Sequence, residues 1–404
     1  MDPKLVDYIK TPAAVKERCA QILEVALRGG THFRVDLEKL PECAALVAKV
    51  TKERFPTLKI PPHSRWSHFN GGGVDRLNPL EIQLRGLSKE QRARSLLDLV
   101  IVSVLLDAGA GADWRYNDRI NGVKIGRSEG LAIASLDMFK DGMFSTDKSL
   151  SVSAAGLGQL NPQALRDAFQ STNENFLEGL EGRFDLLKKL ANILNEDSRF
   201  RAGDTNRPGA IFDIVTQNNT SGDVSAVQIF RAVLDLFGGI WPTHPNSFGV
   251  ALGDVWEHPA IKGTNPQDKL VPFHKLSLWL TFSLFHGFEI GGFNIKDVDE
   301  LPGLAEYRNG GLLVDSGVLV RKDLSEAGPF EPNHQMIIEW RALTIALLDK
   351  VADQVRAILG KSKSEFPLAA VLEGGTWFAG RKLAAQNRPD SSPPIPVVNK
   401  GNVF

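Results

Sequence analysis

The segment RSLLDLVIVSVLLDAG, from Arg94 to Gly109, constrains the fold more than any other part of this 404-residue chain. Ser88 and Gln91 precede it with the spacing of a reciprocal helix cap, and Gly109 and Gly111 supply the stop. A helix that is apolar on every side has to be packed inside other elements. The stretch also carries Asp98 and Asp107 and falls short of membrane-spanning length, so it predicts a buried helix rather than a bilayer span.

Helical periodicity recurs along most of the chain. Thr11 and Pro12 open a helix that ends before Gly29 and Gly30, and Asp36 caps a second one reaching about Phe55, where Pro56 follows. Further helices are expected at Ser128–Phe139, Gln163–Leu194, Asp223–Phe237, Pro272–His286 and Asn333–Leu359. Strand signals are confined to NGVKIG near Asn121 and LLVDSGVLV near Leu312, the second equally readable as helix. The expected fold class is therefore mainly α with few short strands. No repeat of solenoid length is visible, and the expected organisation is one mainly helical domain over residues 1–386, with a Pro-rich extended tail at 387–404. Residues 56–88, 199–213 and 241–270 read as loops long enough to be functional.

The 47 lysines and arginines nearly cancel the 48 aspartates and glutamates, which leaves no broad positive field to gather a nucleic-acid backbone and favours a small ligand. The two cysteines, Cys19 and Cys43, lie on separate helices without CxxC spacing, the usage of a reducing compartment such as the cytoplasm, and no secretory signal is apparent in MDPKLVDYIKTP. Nothing in this pattern constrains the oligomeric state.

Two short strings carry the chemistry. PFHKLS places Lys275 at the start of a long apolar helix, and LAEYRNGG presents Glu306, followed at once by Tyr307 and Arg308. A paired lysine and carboxylate among aromatics suits cleavage of a bond whose transition state is cationic, but by spacing alone such a pair is first of all a solvated ion pair. GDVWEHP supplies Asp254 and Trp256, either as a cap or loop brace and a packing residue or as ligand contacts. The same string holds His258, but neither His244 nor His274 stands at HExxH spacing from it, and no metal is expected. AGAGADWRY places Asp113 and Trp114 after the buried helix, as a helix stop with a core tryptophan or as a pocket wall. RWSHFNGG, with Arg65, Trp66, His68 and Phe69, reads as a turn or as a lid over a ligand. GGGVDR lacks the phosphate-loop pattern, and no GxSxG elbow exists for a serine nucleophile.

Taken together, GRSEGLAIASLDMF, the RPG of Arg207–Gly209, GDVWEHP, PFHKLSLWLTFSL and LPGLAEYRNGGLLVDSGVL resemble the uracil-catabolism protein family of fungi and bacteria over most of the chain. A more distant resemblance links PFHKLS, AEYRNG and IIEWRAL to the queuosine-salvage nucleotide N-glycosylases, where FYKRAQ precedes ADYRxPQ and a Glu–Arg pair follows. That second resemblance implies a helical, DNA-glycosylase-like architecture. It puts Lys275 in the place of the family lysine, Glu306 in that of the catalytic aspartate, and Glu339 and Arg341 in that of the later pair. His274, Tyr307 and Arg308 then shape the pocket with Asp113, Trp114, Asp254 and Trp256. Glutamate for aspartate, RNGG for RxPQ and KLSL for KRAQ imply a kept reaction class with a changed substrate.

The two resemblances together imply an N-ribosyl hydrolase of uracil breakdown that cleaves a ribosylurea-type compound, or its phosphate, and needs no cofactor. The expected partner is that small ribosylated molecule, without nucleic acid or membrane. The alternatives are an amide or ureido hydrolase of the same pathway and a noncatalytic binding or scaffold protein.

Overall fold

A computed structural model describes residues 1–107, 109–111, 113–241 and 249–398. Helix makes up 57% of the chain and strand 8%, so the architecture is mainly α with few short strands. The strands form five two-stranded ribbons among the described residues, each only two or three residues long, and none of them makes a layer.

The central helix runs Lys89–Leu105, both halves of its Ser88/Gln91 cap are made, and every residue from Ser95 to Leu105 is buried. The Lys275–Ile290 helix packs along it. Their approach is close because Gly287 carries no Cβ: one built there would come within 2.6 Å of the Leu97 side chain. The longest helix, Gln335–Leu359, lies across Pro12–Leu27 and Leu40–Arg54, and Tyr307–Asp315 packs on Trp377–Asn387. One contiguous apolar core joins these helices, Cys19 and Cys43 included, and burial pushes the Cys43 thiol up to about 11. Among the described residues no helix is long and apolar enough to cross a membrane.

Several boundaries differ from the periodicity, for local reasons. The expected helix over Gln163–Leu194 is two helices, Pro162–Ala168 and Leu180–Glu196; between them Thr172 accepts from the Glu174 and Asn175 amides, and Gly179 sits at φ 69°. Asp36 caps a single turn, Leu37–Lys39, before the second helix starts at Leu40. Asp223–Ser225 pairs as a parallel strand with Asn294–Lys296 instead of opening the helix Ala226–Phe237. Pro272 closes a strand, Leu270–Pro272, paired antiparallel with Val255–Glu257, and the helix begins three residues later at Lys275. LLVDSGVLV divides between both readings: Asp315 ends a helix, and Leu319–Arg321 pairs with Phe33–Val35. The helical stretch from Leu368 to Asn387, interrupted by a π turn at Leu372–Thr376, carries no clear cap and was not expected.

Candidate active site

Lys275 is the first residue of its helix, with its charge at the positive end of the helix dipole. That conflict with local preference is tolerated because Asp254 sits beneath the turn. Its Oδ2 accepts the Lys275 amide at 3.0 Å, while Arg341 binds both Asp254 oxygens at 2.8 and 2.6 Å and the Trp256 indole donates to Oδ1 at 2.7 Å. Burial works against the Asp254 charge, but Arg341 and these hydrogen bonds hold its carboxyl below the usual range. The preceding His274 adopts a left-handed φ of 48°, and its Nε2 meets the Ile9 carbonyl at 3.0 Å. Thus Asp254, Trp256, Arg341 and His274 aim Lys275 from behind.

Glu306 opens the Tyr307–Asp315 helix as its N-cap, accepting the Asn309 amide at 3.3 Å. Glutamate is an unusual N-cap compared with Asp, Asn, Ser or Thr, and the bond is long. Only 8% of the residue is exposed. Glu306 is buried and Lys275 half-buried, so their charges interact through a lower dielectric than at an open surface. Burial raises the Glu306 carboxyl, opposed first by Lys275; burial lowers the Lys275 ammonium, opposed first by Glu306 and then by Asp107. Among the described residues Lys275 Nζ makes no hydrogen bond and no ion pair within 4.0 Å, while the Glu306 carboxylate takes the Arg308 amide as well as that of Asn309.

Asp107, just past the central helix, is the third charged group here. Its Oδ1 takes Arg65 Nη1 at 2.8 Å and the Ser128 hydroxyl at 2.6 Å. Burial is outweighed by Arg65, His68, Ser128 and Lys275, which hold this carboxyl below the ordinary range. Arg65 is fully buried, donates from Nε to Ser103, and leaves Nη2 without a partner. His68 Nδ1 lies 2.9 Å from the Ser128 hydroxyl.

A family model described as "Protein of unknown function (DUF1688)" matches residues 8–404. Uracil catabolism protein 4 of Lachancea kluyveri is 35% identical over 99% of both chains, and Protein urg3 of Schizosaccharomyces pombe is 38% identical over 92% of both. The chain belongs to this family. With nearly full-length cover, the Lys275 and Glu306 strings both lie inside the region that the family model matches.

Not all the residues expected at a site in this DUF1688 chain come together. Asp113 is exposed, and Trp114 is a core residue, 0% exposed, with its indole N–H on the Phe169 carbonyl at 3.0 Å. The preceding helix already ends at Leu105, and Trp114 is a packing residue of the core rather than an exposed wall. His274 lies in the turn before the Lys275 helix, with Nε2 on the Ile9 carbonyl and Nδ1 without a hydrogen bond. Tyr307 lies under the Arg308 guanidinium, which reaches the Ser391 carbonyl at 2.9 Å.

Glu339 points to a different cavity, of about 700 Å³, lined also by His32, His258, His334, Arg321 and Lys322. There its Oε2 accepts the His32 amide at 2.7 Å, and His258 Nε2 stands 3.3 Å from Oε1. Helix geometry explains the separation from Arg341: residues two apart project to different faces. Among the described residues no three His, Cys, Asp or Glu side chains are grouped to hold a metal; His244 lies outside them.

In RWSHFNGG, which reads as a turn or a lid, Arg65 is a buried ion-pair partner of Asp107 and His68 is half-buried beside the Ser128 hydroxyl. His63, Ser128 and Glu373 carry no site expectation from the sequence. The one available signal was a single charge inside an apolar run, as in Asp107 and in AAVLEGGTWF around Glu373.

Proposed function

We propose that this chain acts in uracil catabolism as an N-ribosyl hydrolase, cleaving a ribosylurea-type intermediate, or its 5′-phosphate, into urea and the sugar. The Lachancea kluyveri relative, named for uracil catabolism, supports the pathway. The observation that carries the reaction is the electrostatic pairing of buried Glu306 with half-buried Lys275, whose ammonium makes no hydrogen bond among the described residues and can therefore meet a ligand atom. Cleavage of an N-ribosyl bond builds positive charge at the anomeric carbon while the leaving nitrogen gains electron density. Glu306 stabilises that positive charge and takes a proton from the attacking water. Lys275 binds a sugar hydroxyl and keeps Glu306 ionised. Asp107, with Oδ1 held by Arg65 and Ser128, offers a second fixed carboxylate to the ribose diol.

Incubation with N-ribosylurea and with its 5′-phosphate, following reducing sugar and urea, tests the reading. Ammonia and carbon dioxide without free sugar would instead mark an amide or ureido hydrolase. The Glu306 cap favours a noncatalytic role, in which the carboxylate serves only the fold. Binding without turnover, unchanged in Glu306→Gln, would establish that role.

The pH profile should be a narrowed bell. Activity needs ionised Glu306, whose raised carboxyl moves the acid limb above the usual glutamate range. It also needs protonated Lys275, whose lowered ammonium brings the alkaline limb below the usual lysine range. In kcat/KM measured against pH on 4-nitrophenyl β-ribofuranoside, whose leaving group needs no proton, Lys275→Arg should push the alkaline limb upward and leave the acid limb in place. A profile flat across both limbs would remove these two groups from the reaction.

A further inference from the structure

We propose that His63, held by Glu373, is the general acid that protonates the departing nitrogen, an assignment that rests on the N-ribosyl hydrolase reading. His63 and Glu373 are 5% and 4% exposed, and His63 Nδ1 lies 2.7 Å from Glu373 Oε2. Arg54 stands 3.5 Å from the other carboxylate oxygen, so the acceptor is a charged group braced on its far side. Burial opposes the Glu373 charge, yet the His63 hydrogen bond and the nearby cations hold its carboxyl low. An ionised acceptor places a proton on Nδ1 and assigns the chemistry to Nε2. Nε2 makes no hydrogen bond among the described residues.

The ring faces the proposed site. Its centroid is 4.7 Å from that of Trp279, which lies one helical turn after Lys275 on the same face. One turn further on, the Ser283 hydroxyl accepts the Arg65 amide at 3.0 Å. The segment from His63 to Arg65 is thereby laid along the face that begins with Lys275. His63 also helps to hold down the Glu306 carboxyl. Glu373 itself sits in the π turn Leu372–Thr376, a helix irregularity that recurs at functional sites. A purely architectural pair would tie the two segments together just as well, but it would have no use for an open Nε2.

The step balances without a cofactor. The C1′–N bond breaks, its electron pair goes to the urea nitrogen, and that nitrogen takes the proton from His63 Nε2. Water adds its hydroxyl to C1′ and yields its proton to Glu306, and solvent exchange returns the proton to His63. The products are one urea and one ribose.

A leaving group that needs no proton separates this role from a structural one. On N-ribosylurea, His63→Asn should lose about 10²–10⁴-fold in kcat, while on 4-nitrophenyl β-ribofuranoside it should stay within several-fold of wild type. His63→Ala should regain turnover of N-ribosylurea when imidazole is added, which a folding defect would not allow. Equal losses on both substrates, or no loss on either, would overturn the acid role while leaving the hydrolase intact. A wild-type chain inert toward both would overturn the hydrolase reading and the acid role with it. Independently of any substrate, proton NMR should show a downfield His63 Nδ1–H resonance that Glu373→Gln abolishes; its absence from the wild type would overturn the dyad.

Discussion

Glu306→Gln is expected to lower kcat/KM for N-ribosylurea about 10²–10⁴-fold while the protein stays folded. Glutamine keeps the length and one acceptor oxygen, so the hydrogen bond from the Asn309 amide survives and the Tyr307–Asp315 helix keeps its cap. Losing an N-cap outright costs about 1 kcal/mol, so the retained acceptor should keep the change in melting below that. The substitution removes the charge. A neutral amide neither balances an oxocarbenium ion nor accepts a proton from water, and Lys275 is left with Asp107 as its next carboxylate influence. Steady-state assays beside thermal melts give the comparison. A variant that melts normally and turns over as fast as wild type would exclude Glu306 from catalysis. A variant that fails to fold would make the cap its main duty.

Asp98→Ala is expected to destabilise the chain by about 3–5 kcal/mol, the cost of removing one partner from a buried ion pair. Asp98 is 0% exposed in the middle of the Lys89–Leu105 helix. Its Oδ2 takes Arg207 Nη2 at 2.6 Å, Arg207 Nε at 3.0 Å and the Val152 amide at 2.8 Å, and its Oδ1 takes the Gly209 amide at 2.7 Å. Alanine would strand a guanidinium and two amides. The RPG string is explained by this clamp. Arg207 supplies the charge, and Gly209 passes so close that a Cβ there would come within 2.2 Å of the Arg94 carbonyl oxygen. Urea unfolding should show a lower midpoint with an unchanged slope, and Asp98→Asn, which keeps an acceptor, should lose less. A loss under about 1 kcal/mol would mean that the pair is compensated elsewhere.

Legibility followed the range of the interactions. The Thr11 cap with Pro12, the Ser88/Gln91 box and the apolar run after it were readable because both partners lie within one helical turn. The Gln163–Leu194 reading failed where side chain to backbone bonds of Thr172 competed with a helix. At the site, Lys275 and Glu306 were visible through their strings. Their burial was not, since a charge in a polar string looks the same whether solvent or protein surrounds it.

Trp114 shows the converse. An aromatic after a glycine-rich stop suits a core or a pocket, and only the Phe169 carbonyl decides between them. Glu339 and Arg341 share one string and one helix, yet they serve a cavity and an ion pair on different faces.

The amino-acid order by itself determined the mainly helical class, the buried central helix, the family and the two charged strings, all properties written in neighbours a few residues apart. Tertiary structure alone decided that Asp107 joins Lys275 and Glu306, that Asp254 and Arg341 aim the lysine, and that His63 meets Glu373 across the fold. Those groups come from distant segments. Their charges depend on how much water the packing removes, and periodicity along a chain does not record that quantity.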